Sequence, residues 1–221
     1  MAERELGETT RLWLQHSKLE MPRNNVHLLD RPLLIERMDK WLDLDLGVVV
    51  GPAGFAKSTT IAEWCRHQQG KGTLTAWLSL DEADREPAQF LSYLIAALSR
   101  AGVTSHGLEA GAEEGFFAGG LSTALFALLD AVHRISGPVI LVLVDYHRVN
   151  SPQVDELVRT LLASLPENLS VIIATRTPLP FDIAYLLAAG QADELGTEAL
   201  RFSREELISV FPAGASDNII S

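Results

Sequence analysis

A short stretch of the sequence combines glycines, a lysine and hydroxyl side chains in a spacing that suits phosphate binding. Residues 48–60 read Val-Val-Val-Gly-Pro-Ala-Gly-Phe-Ala-Lys-Ser-Thr-Thr. In the pattern G-x-x-x-x-G-K-[ST], backbone N–H groups surround the phosphates at the start of a helix, the lysine reaches the terminal phosphates and the hydroxyl binds Mg²⁺. We therefore predict a loop that binds ATP or ADP, with Ser58 as a Mg²⁺ ligand. The candidate nucleotide-binding residues are Gly51, Pro52, Ala53, Gly54, Phe55, Ala56, Lys57, Ser58 and Thr59.

One position departs from the pattern, because Ala56 stands where the second glycine is expected. If this residue needs a positive φ, alanine costs on the order of 1–2 kcal/mol, whereas near-helical geometry would cost almost nothing. Ala-Lys-Ser also occurs at this place in other P-loop families, such as the MoxR-type ATPases. We therefore expect nucleotide binding to survive the substitution.

An acid and an arginine follow two further apolar runs of the sequence. Asp145 ends the run from residue 138, and Arg176 follows the run 169–175. Ligands of an open parallel sheet bind beyond the carboxyl ends of its strands, so both side chains should lie beside the phosphate loop. We predict that Asp145 binds Mg²⁺ and that Arg176 senses the γ-phosphate, and we treat both as catalytic candidates. The alternatives are a helix-capping acid and a solvated surface arginine.

Three other polar residues are weaker candidates. Asp81 and Asp84 follow a predicted strand, but acids in such positions more often cap a helix. His147 also lies at a strand end and could line the site, although a lone histidine is more often packed than catalytic. We keep the two acids as secondary candidates only.

Strands and helices alternate along the chain, which predicts an α/β fold with a parallel sheet covered on both faces. Predicted strands lie at 48–50, 75–80, 138–145, 169–175 and, weakly, 193–196. Predicted helices lie at 31–42, 57–69, 87–100, 121–135, 151–165, 181–189 and from 203 to 211, with a glycine-rich loop at 107–120. We therefore expect a P-loop NTPase built as a three-layer α/β/α sandwich with a mainly parallel central sheet.

Composition limits the classes of partner. The 221 residues are 47% hydrophobic, enough for a real core, and the net charge of −11 opposes direct binding of nucleic acid by this segment. The N-terminus is charged from its third residue, and the longest apolar run, 139–144, is far too short to cross a membrane. We therefore expect no membrane association and a cytoplasmic location. The single cysteine, Cys65, excludes an internal disulfide, and we expect it to be buried.

Several motifs, in this order, resemble the ATPase domain of the large LuxR-type transcription regulators typified by the maltose activator MalT. These regulators belong to the STAND class of P-loop proteins, which are related to AAA+ ATPases. The resemblance runs from about Ser17 to Phe211 and is carried by VVVGPAGFAKSTTIAEW, WLSLDEAD, ILVLVDYHRV, PENLSVIIATR and LRFSREEL.

The resemblance implies a switch module that binds ATP and Mg²⁺ and whose nucleotide exchange shifts a resting monomer to an oligomer. By position, Gly51, Gly54, Lys57, Ser58 and Thr59 would bind phosphate and metal, and Arg176 would be the sensor arginine. Residues 26–31 would lie against the adenine. We accordingly divide the chain into an N-terminal arm contributing to the nucleotide site (1–30), the P-loop NTPase domain (31–200) and the start of a following helical region with a tail (201–221). The expected partners are the nucleotide and, through self-association or regulator subunits, other proteins.

The chain departs from the family in its acidic motif. The family pattern has two adjacent aspartates before Tyr-His, whereas Val144 precedes Asp145 here, so the first acid is missing. Loss of one preorganised charge typically costs a few kcal/mol of barrier in phosphoryl transfer, so we expect weak or impaired ATP hydrolysis.

The family continues with a winged helix, a helical-repeat sensor region and a C-terminal helix-turn-helix, for which 221 residues leave no room. The chain would then be an excised domain or a truncated product, and the divergent tail after Phe211 favours truncation. We expect it not to read DNA by itself.

Two other functions stay open from the sequence. A P-loop small-molecule kinase would share the phosphate loop, although no arginine-rich lid segment follows the third helix. A degenerate interaction module would keep the fold without binding nucleotide. Nucleotide binding without a phosphoryl acceptor would separate the switch from both.

Overall fold

The protein contains a five-stranded, all-parallel sheet. The structure is a computed structural model that describes residues 14–23, 31–103 and 120–201. Its strand order is β2-β3-β4-β1-β5. The strands are β1 (Leu46–Val50), β2 (Leu74–Ser79), β3 (Val139–Val144), β4 (Leu169–Thr175) and β5 (Ala192–Leu195). β3 and β4 are buried along their whole length, as the continuous apolar sequence of β3 and the mainly apolar sequence of β4 predict for strands covered on both faces.

Helices connect the strands and cover the sheet. The described α-helices are α1 (Pro32–Asp39), α2 (Lys57–Gly70), α3 (Pro87–Arg100), α4 (Leu121–His133), α5 (Pro152–Leu162), α6 (Ala184–Ala188) and α7 (Thr197–Leu200). Short 3₁₀ turns occur at His16–Leu19, Lys40–Asp43, Glu82–Arg85 and Tyr146–Arg148. α1, α3 and α5 each begin at a proline, whose fixed φ suits the first helical position and whose missing N–H costs nothing there.

Two hydrophobic clusters lie on opposite faces of the sheet. One joins α3, α4, α5 and α6 to one set of alternating strand residues, and the other joins α1, α2 and α7 to the other set. Within β3, for example, Leu143 belongs to the first cluster and Val144 to the second. The predicted three-layer α/β/α sandwich of the P-loop NTPase type is therefore confirmed.

The strand order decides which loops meet at the carboxyl edge. β4 lies between β1 and β3, with Val50 beside Thr175 and Val144 beside Ala174. The segments that follow β1, β4 and β3 therefore emerge next to one another. β2 lies at one edge of the sheet and β5 at the other.

The predicted elements agree with the structure except near some ends. The helix predicted at 31–42 is α1 followed by a 3₁₀ turn, and the helix predicted from residue 181 begins at Ala184, where the Asp182 carboxylate accepts the Ala184 N–H at 2.7 Å. The helix predicted to end at Ile135 ends at His133, and the Asn168 side-chain amide donates to the backbone carbonyls of Val132 and Ile135 there. These ends depend on side chains that are distant or specific in geometry, so periodicity did not reveal them.

Several expectations concern residues outside those that the structure describes. These are most of the N-terminal arm, the glycine-rich loop apart from Gly120, and the helix and tail expected after residue 202. Cys65 lies within α2 and is buried, as expected, and burial raises the pKa of its thiol. Among the described helices, none combines the length and apolar character that crossing a membrane requires.

Candidate functional site

The glycine loop connects the end of β1 to the start of α2. The Gly51 N–H donates to the carbonyl of Thr175 at 3.2 Å, which ties the loop to the end of β4. A Cβ atom at Gly51 would lie 3.1 Å from Leu200 Cδ1, so a larger residue here would require the Leu200 side chain to shift by a few tenths of an ångström. Gly54 has φ +86°, a conformation that favours glycine, and a Cβ there would meet nothing within 4 Å. The loop is thus a narrow turn that is open on its Gly54 side.

Ala56 adopts the strained conformation that the missing glycine would have relieved. Its φ of 54° and ψ of 20° are left-handed, so the near-helical alternative considered from the sequence is wrong. For an L-residue this conformation costs roughly 1–2 kcal/mol. Its carbonyl accepts the N–H of Thr60 at 2.9 Å and so begins the hydrogen bonding of α2.

The first turn of α2 presents backbone donors next to this loop. The N–H groups of Lys57, Ser58 and Thr59 precede the first intrahelical bond, and such groups bind anions well. Ser58 and Thr59 are half-buried at the same place, with hydroxyls available to a metal or phosphate. These features fit the phosphates of a nucleotide.

Lys57 is a buried cation that has no carboxylate within hydrogen-bond distance among the described residues. Its side chain is 8% exposed, and its Nζ donates to the carbonyls of Gly51 at 2.6 Å and Pro52 at 2.9 Å. Burial lowers the pKa of Lys57, the charge of Arg176 lowers it further, and Asp145 opposes this shift. The positive charge of the ammonium group is therefore only partly balanced by the negative charge of Asp145.

Asp145 follows β3 directly and opens a 3₁₀ turn. Its φ of 60° and ψ of 35° are left-handed, and its side chain makes no capping hydrogen bond to the turn that follows. The helix-capping alternative is therefore not what the structure shows. The preceding residue, Val144, is 3% exposed and packs in the hydrophobic cluster that joins α1, α2 and α7 to the sheet. An apolar core residue thus occupies the place of the first acid.

The turn after Asp145 is anchored by Tyr146. Its hydroxyl donates to Asp155 Oδ1 at 2.7 Å, and its ring meets that of Phe181 edge-on with centroids 6.1 Å apart. Burial and the Asp155 carboxylate raise the pKa of Tyr146 far above its usual range. Tyr146 is therefore a structural residue, and it holds Asp145 and His147 in place on either side.

His147 is half-buried, and its Nδ1 is buried without a hydrogen-bond partner among the described residues. Burial lowers the pKa of His147. Asp145 acts against this shift, and the positive charges of Arg176, Lys57 and Arg148 add to it. The imidazole therefore shares the electrostatic environment of the phosphate loop.

Arg176 follows β4 and is exposed at the carboxyl edge. Its charge acts on both Lys57 and His147. The structure thus brings together the loop, Asp145 and Arg176 at one edge of the sheet, where the sequence placed them, and adds His147 to the group. His147 was a weak candidate because a single histidine has no distinguishing spacing in the sequence.

Asp81 and Asp84 have a structural role, as the capping alternative predicted. The Asp81 side chain accepts the Ala83 N–H at 2.9 Å, and the Asp84 side chain accepts the Asp81 N–H at 2.8 Å. Lys18 Nζ lies 2.8 Å from Asp81 Oδ2 and 2.8 Å from Asp84 Oδ2. Sequence reasoning missed Lys18, because this pairing joins residues that are 66 positions apart. The described part of the N-terminal arm is therefore held at the end of β2.

The donor set is compatible with Mg²⁺ that a nucleotide brings with it. Among the described residues, no group of three or more His, Cys, Asp or Glu side chains could hold a metal ion by itself. Mg²⁺ commonly keeps several waters and uses one or two protein oxygens together with substrate phosphates. Ser58 and Asp145 would supply those protein oxygens.

A cavity of about 720 Å³ lies elsewhere, between the arm, β2 and the C-terminal ends of α2 and α3. Its lining includes Arg23, Arg66 and Arg100, but Arg100 pairs with Glu20 and Arg66 donates to the Pro22 carbonyl. It contains no residue of the glycine loop. We therefore assign the candidate nucleotide site to the carboxyl edge rather than to this cavity.

The chain is similar in sequence to one segment of larger proteins. It is 34% identical over 197 residues to the HTH-type transcriptional regulator MalT of Yersinia enterocolitica, and 36% identical over 199 residues to the protein of the same name from Serratia proteamaculans. Each match covers 88% of this chain and 21% of the relative, so the chain spans about a fifth of the length of these curated relatives. The resemblance to MalT-like regulators is confirmed. No family model matches the sequence.

The fold also has a counterpart among solved structures. The ORC1 protein of Aeropyrum pernix, solved in complex with DNA, superimposes with a TM-score of 0.52 at 15% sequence identity. The match covers 83% of this chain and 48% of that chain. At this identity the similarity shows the fold alone, and it agrees with an AAA+-like P-loop NTPase domain.

Proposed function

We propose that this chain, a homologue of the MalT-like regulators and a P-loop NTPase domain by fold, is an ATP/ADP-binding regulatory switch with weak or impaired hydrolysis. In this role it would regulate transcription through other domains or subunits, by self-association or by association with them, without gripping DNA itself. Such a role belongs in the cytoplasm. The net charge of −11 supports the absence of direct DNA contact, since phosphate binding by basic residues supplies most of the affinity for nucleic acid.

The observation that carries the proposal is the electrostatic state of Lys57. Within the described part of the chain, the buried ammonium donates hydrogen bonds to two backbone carbonyls and to no carboxylate, and the positive charge of Arg176 lowers its pKa. Unpaired buried charge is costly, and an arriving anion would remove that cost. A polyphosphate supplies such an anion at the start of α2, where backbone donors face it.

Each residue of the site would contact a different part of the nucleotide or its Mg²⁺. Lys57 would exchange the two loop carbonyls for phosphate oxygens, while the N–H groups of Ser58 and Thr59 hold the inner phosphates. Arg176 would meet the terminal phosphate, and Asp145 would join Ser58 in holding Mg²⁺. When bound, ATP and Mg²⁺ supply the reactive anhydride and the charge that screens it. Because the apolar, buried Val144 stands where the family pattern has its first acid, the site would have one carboxylate fewer to support attack by water, and hydrolysis would be weak.

Calorimetric titration of ATP and ADP with Mg²⁺ tests the proposal. We expect the wild type to bind both, and Lys57→Ala to weaken both by about tenfold to a hundredfold, because a charge-assisted contact is worth roughly 1.5–3 kcal/mol. The matched control is Lys71→Ala. Lys71 follows the other end of α2, is exposed, and pairs with Asp39 at 3.3 Å. Equal affinities for wild type and Lys57→Ala would contradict the proposal.

A second candidate is supported by two particular observations. The left-handed Ala56 and the buried Val144 are both departures from a working site, and they favour an interaction module that keeps the fold without binding nucleotide. Thermal unfolding separates the two, since a ligand at a hundred times its Kd adds about 2.7 kcal/mol of stability. No shift with ATP or ADP, with and without Mg²⁺, would favour the interaction module.

A further inference from the structure

The buried Nδ1 of His147 is a polar atom whose partner is missing from the described protein. Leaving a buried donor or acceptor unpaired costs about 1–3 kcal/mol, and most such atoms in folded proteins have a partner. The atom lies at the carboxyl edge of the sheet, two residues after Asp145. A buried polar atom without a partner at a ligand-binding edge is a candidate ligand contact.

The position of His147 is imposed by its neighbours. Tyr146 is 2% exposed and anchored by Asp155 and Phe181, and Val149 is buried on the next turn. The backbone of the 3₁₀ turn Tyr146–Arg148 is therefore anchored on both sides of His147. This anchoring fixes the His147 backbone at the carboxyl edge, where its half-buried imidazole carries the unpaired Nδ1.

Charges around His147 indicate which part of a nucleotide it would meet. The groups that act on it are Asp145 from the end of its own strand, Arg148 from its own turn, Lys57 from the phosphate loop and Arg176 from the end of β4. In P-loop proteins the lysine of the loop reaches the terminal phosphates. A group that experiences both Lys57 and Arg176 therefore lies toward the terminal phosphate rather than the base or the ribose.

We propose that His147 Nδ1 is a hydrogen-bond partner of the terminal phosphate of a bound nucleoside triphosphate, so that His147 makes the site distinguish ATP from ADP. This inference rests on the proposed function and deepens it. A phosphate oxygen accepts a hydrogen bond from an Nδ1–H, and the triphosphate would satisfy the atom that the protein leaves unpaired. Val144 stands where the family pattern has its first acid. Asp145 is therefore the one carboxylate of that motif beside the histidine and the phosphate.

Titration of ATP and ADP against three variants tests the inference. His147→Ala removes the contact, His147→Asn keeps an amide N–H close to the position of Nδ1, and His147→Gln places one closer to Nε2. We expect His147→Ala to weaken ATP binding about tenfold, the effect of one hydrogen bond to a charged group, and to change ADP binding less than twofold. His147→Asn should recover most of the loss, and His147→Gln should not. Thermal unfolding of each apoprotein checks that the variants are folded.

Nuclear magnetic resonance gives a readout on the wild-type protein itself, in which a variant is used only to assign the signal. The chain has six histidines, and the Nδ1 resonance absent from the ¹⁵N spectrum of His147→Gln identifies His147. We expect this resonance to move with ATP and to stay within a linewidth of its free position with ADP.

The outcomes separate this inference from the proposed function. Binding of both nucleotides by the wild type with an unchanged ATP-to-ADP affinity ratio in His147→Ala overturns only the role of His147. Equal losses for ATP and ADP overturn it as well, because they indicate a structural role. Rescue by glutamine instead of asparagine contradicts the assignment to Nδ1. A wild type that binds neither nucleotide overturns both proposals.

Discussion

The protein buries two lysines, and they differ in what surrounds them. Lys18 is 6% exposed and lies between the carboxylates of Asp81 and Asp84, with its Nζ 4.7 Å from the centre of the Tyr93 ring. Lys57 is 8% exposed and donates hydrogen bonds to two carbonyl oxygens, with no carboxylate of residues 14–23, 31–103 or 120–201 within hydrogen-bond distance and with the positive charge of Arg176 acting on it. The two lysines are therefore buried to a similar extent but have opposite electrostatic surroundings.

The pKa values of the two lysines shift in opposite directions. Burial pulls the pKa of Lys18 down, but hydrogen bonds and charges from Asp81 and Asp84 more than offset this, so the pKa is raised. Burial and Arg176 lower the pKa of Lys57, and Asp145 offsets this only in part. A buried charge whose partners are complete stabilises the fold, whereas one whose partners are incomplete is a candidate for contact with a ligand.

Removal of Lys18 should produce the largest effect on stability. Lys18→Met leaves the fully buried Asp84 without its cation, and breaking a buried pair costs about 3–5 kcal/mol. Urea denaturation measures the free energy of unfolding. In the double variant Lys18→Met, Asp84→Asn the buried carboxylate is neutral, so it should recover part of the loss. A single variant as stable as the wild type would contradict a structural role for this lysine.

The second largest effect on stability should come from acid, which weakens the ion pairs of Lys18 with Asp81 and Asp84. Burial tends to raise the pKa of Asp81, but the hydrogen bonds from Lys18 and Ala83 and the positive charges nearby outweigh it, so the pKa is lowered. A carboxyl group with a lowered pKa adds stability above its unfolded pKa of about 3.9, and this stability is lost as pH falls through the folded pKa.

Urea denaturation of the wild type and Asp81→Asn between pH 7 and pH 3 checks this dependence. At pH 7 we expect the wild type to be more stable than Asp81→Asn by about 1 kcal/mol or less. The difference is small because Asp81 is one-third exposed and its charge is screened by water. The difference should shrink below pH 4. A difference that grows toward acid would have the wrong sign.

Relief of strain at Ala56 should have a smaller effect in the opposite direction. Ala56→Gly removes the roughly 1–2 kcal/mol cost of a left-handed L-residue but adds about 0.5–1 kcal/mol of chain entropy, so we expect a net gain of roughly 0.5–1 kcal/mol. Thermal denaturation measures it. Ala53→Gly is the control, since Ala53 lies in the same loop without a positive φ, and it should be neutral or destabilising.

Removal of Lys57 should have the smallest effect on the stability of the ligand-free protein. Lys57→Met deletes a buried charge that has no carboxylate partner within hydrogen-bond distance in the part of the chain that the structure describes, so the free energy of unfolding should change by less than about 0.5 kcal/mol or should rise. Urea denaturation without nucleotide makes the comparison with Lys18→Met direct. A loss as large as that of Lys18→Met would remove the distinction between the two lysines.

Most of the fold followed from local pattern. The segment that became β3 is apolar throughout and that of β4 is mainly apolar. α3 was predicted with the same bounds as observed because a proline opens it and its apolar face repeats with helical spacing. The glycines, Lys57 and Ser58 predicted the loop for the same reason, since their spacing reflects one continuous turn. Element ends set by Asp182 or Asn168 were less accurate, because those side chains act through particular distances.

The candidate site was only partly accessible from the sequence. Asp145 and Arg176 were identified because each follows a strongly apolar strand, and their roles remain predictions. The left-handed φ of Ala56, the absence of a capping bond at Asp145 and the unpaired Nδ1 of His147 were not accessible. Each depends on backbone angles or on which atoms are absent nearby, and neither is encoded in local spacing.

The sequence by itself determined the alternating strands and helices, the phosphate loop, the excess of negative charge and the relationship to MalT-like regulators. Only the tertiary structure decided that β4 lies between β1 and β3, and this order brings Lys57, Asp145, His147 and Arg176 to one edge. It also decided which buried lysine is neutralised and which is not. The physical reason is that hydrophobic periodicity is a property of neighbours in the chain, whereas the partners of a buried charge come from segments that only folding brings together.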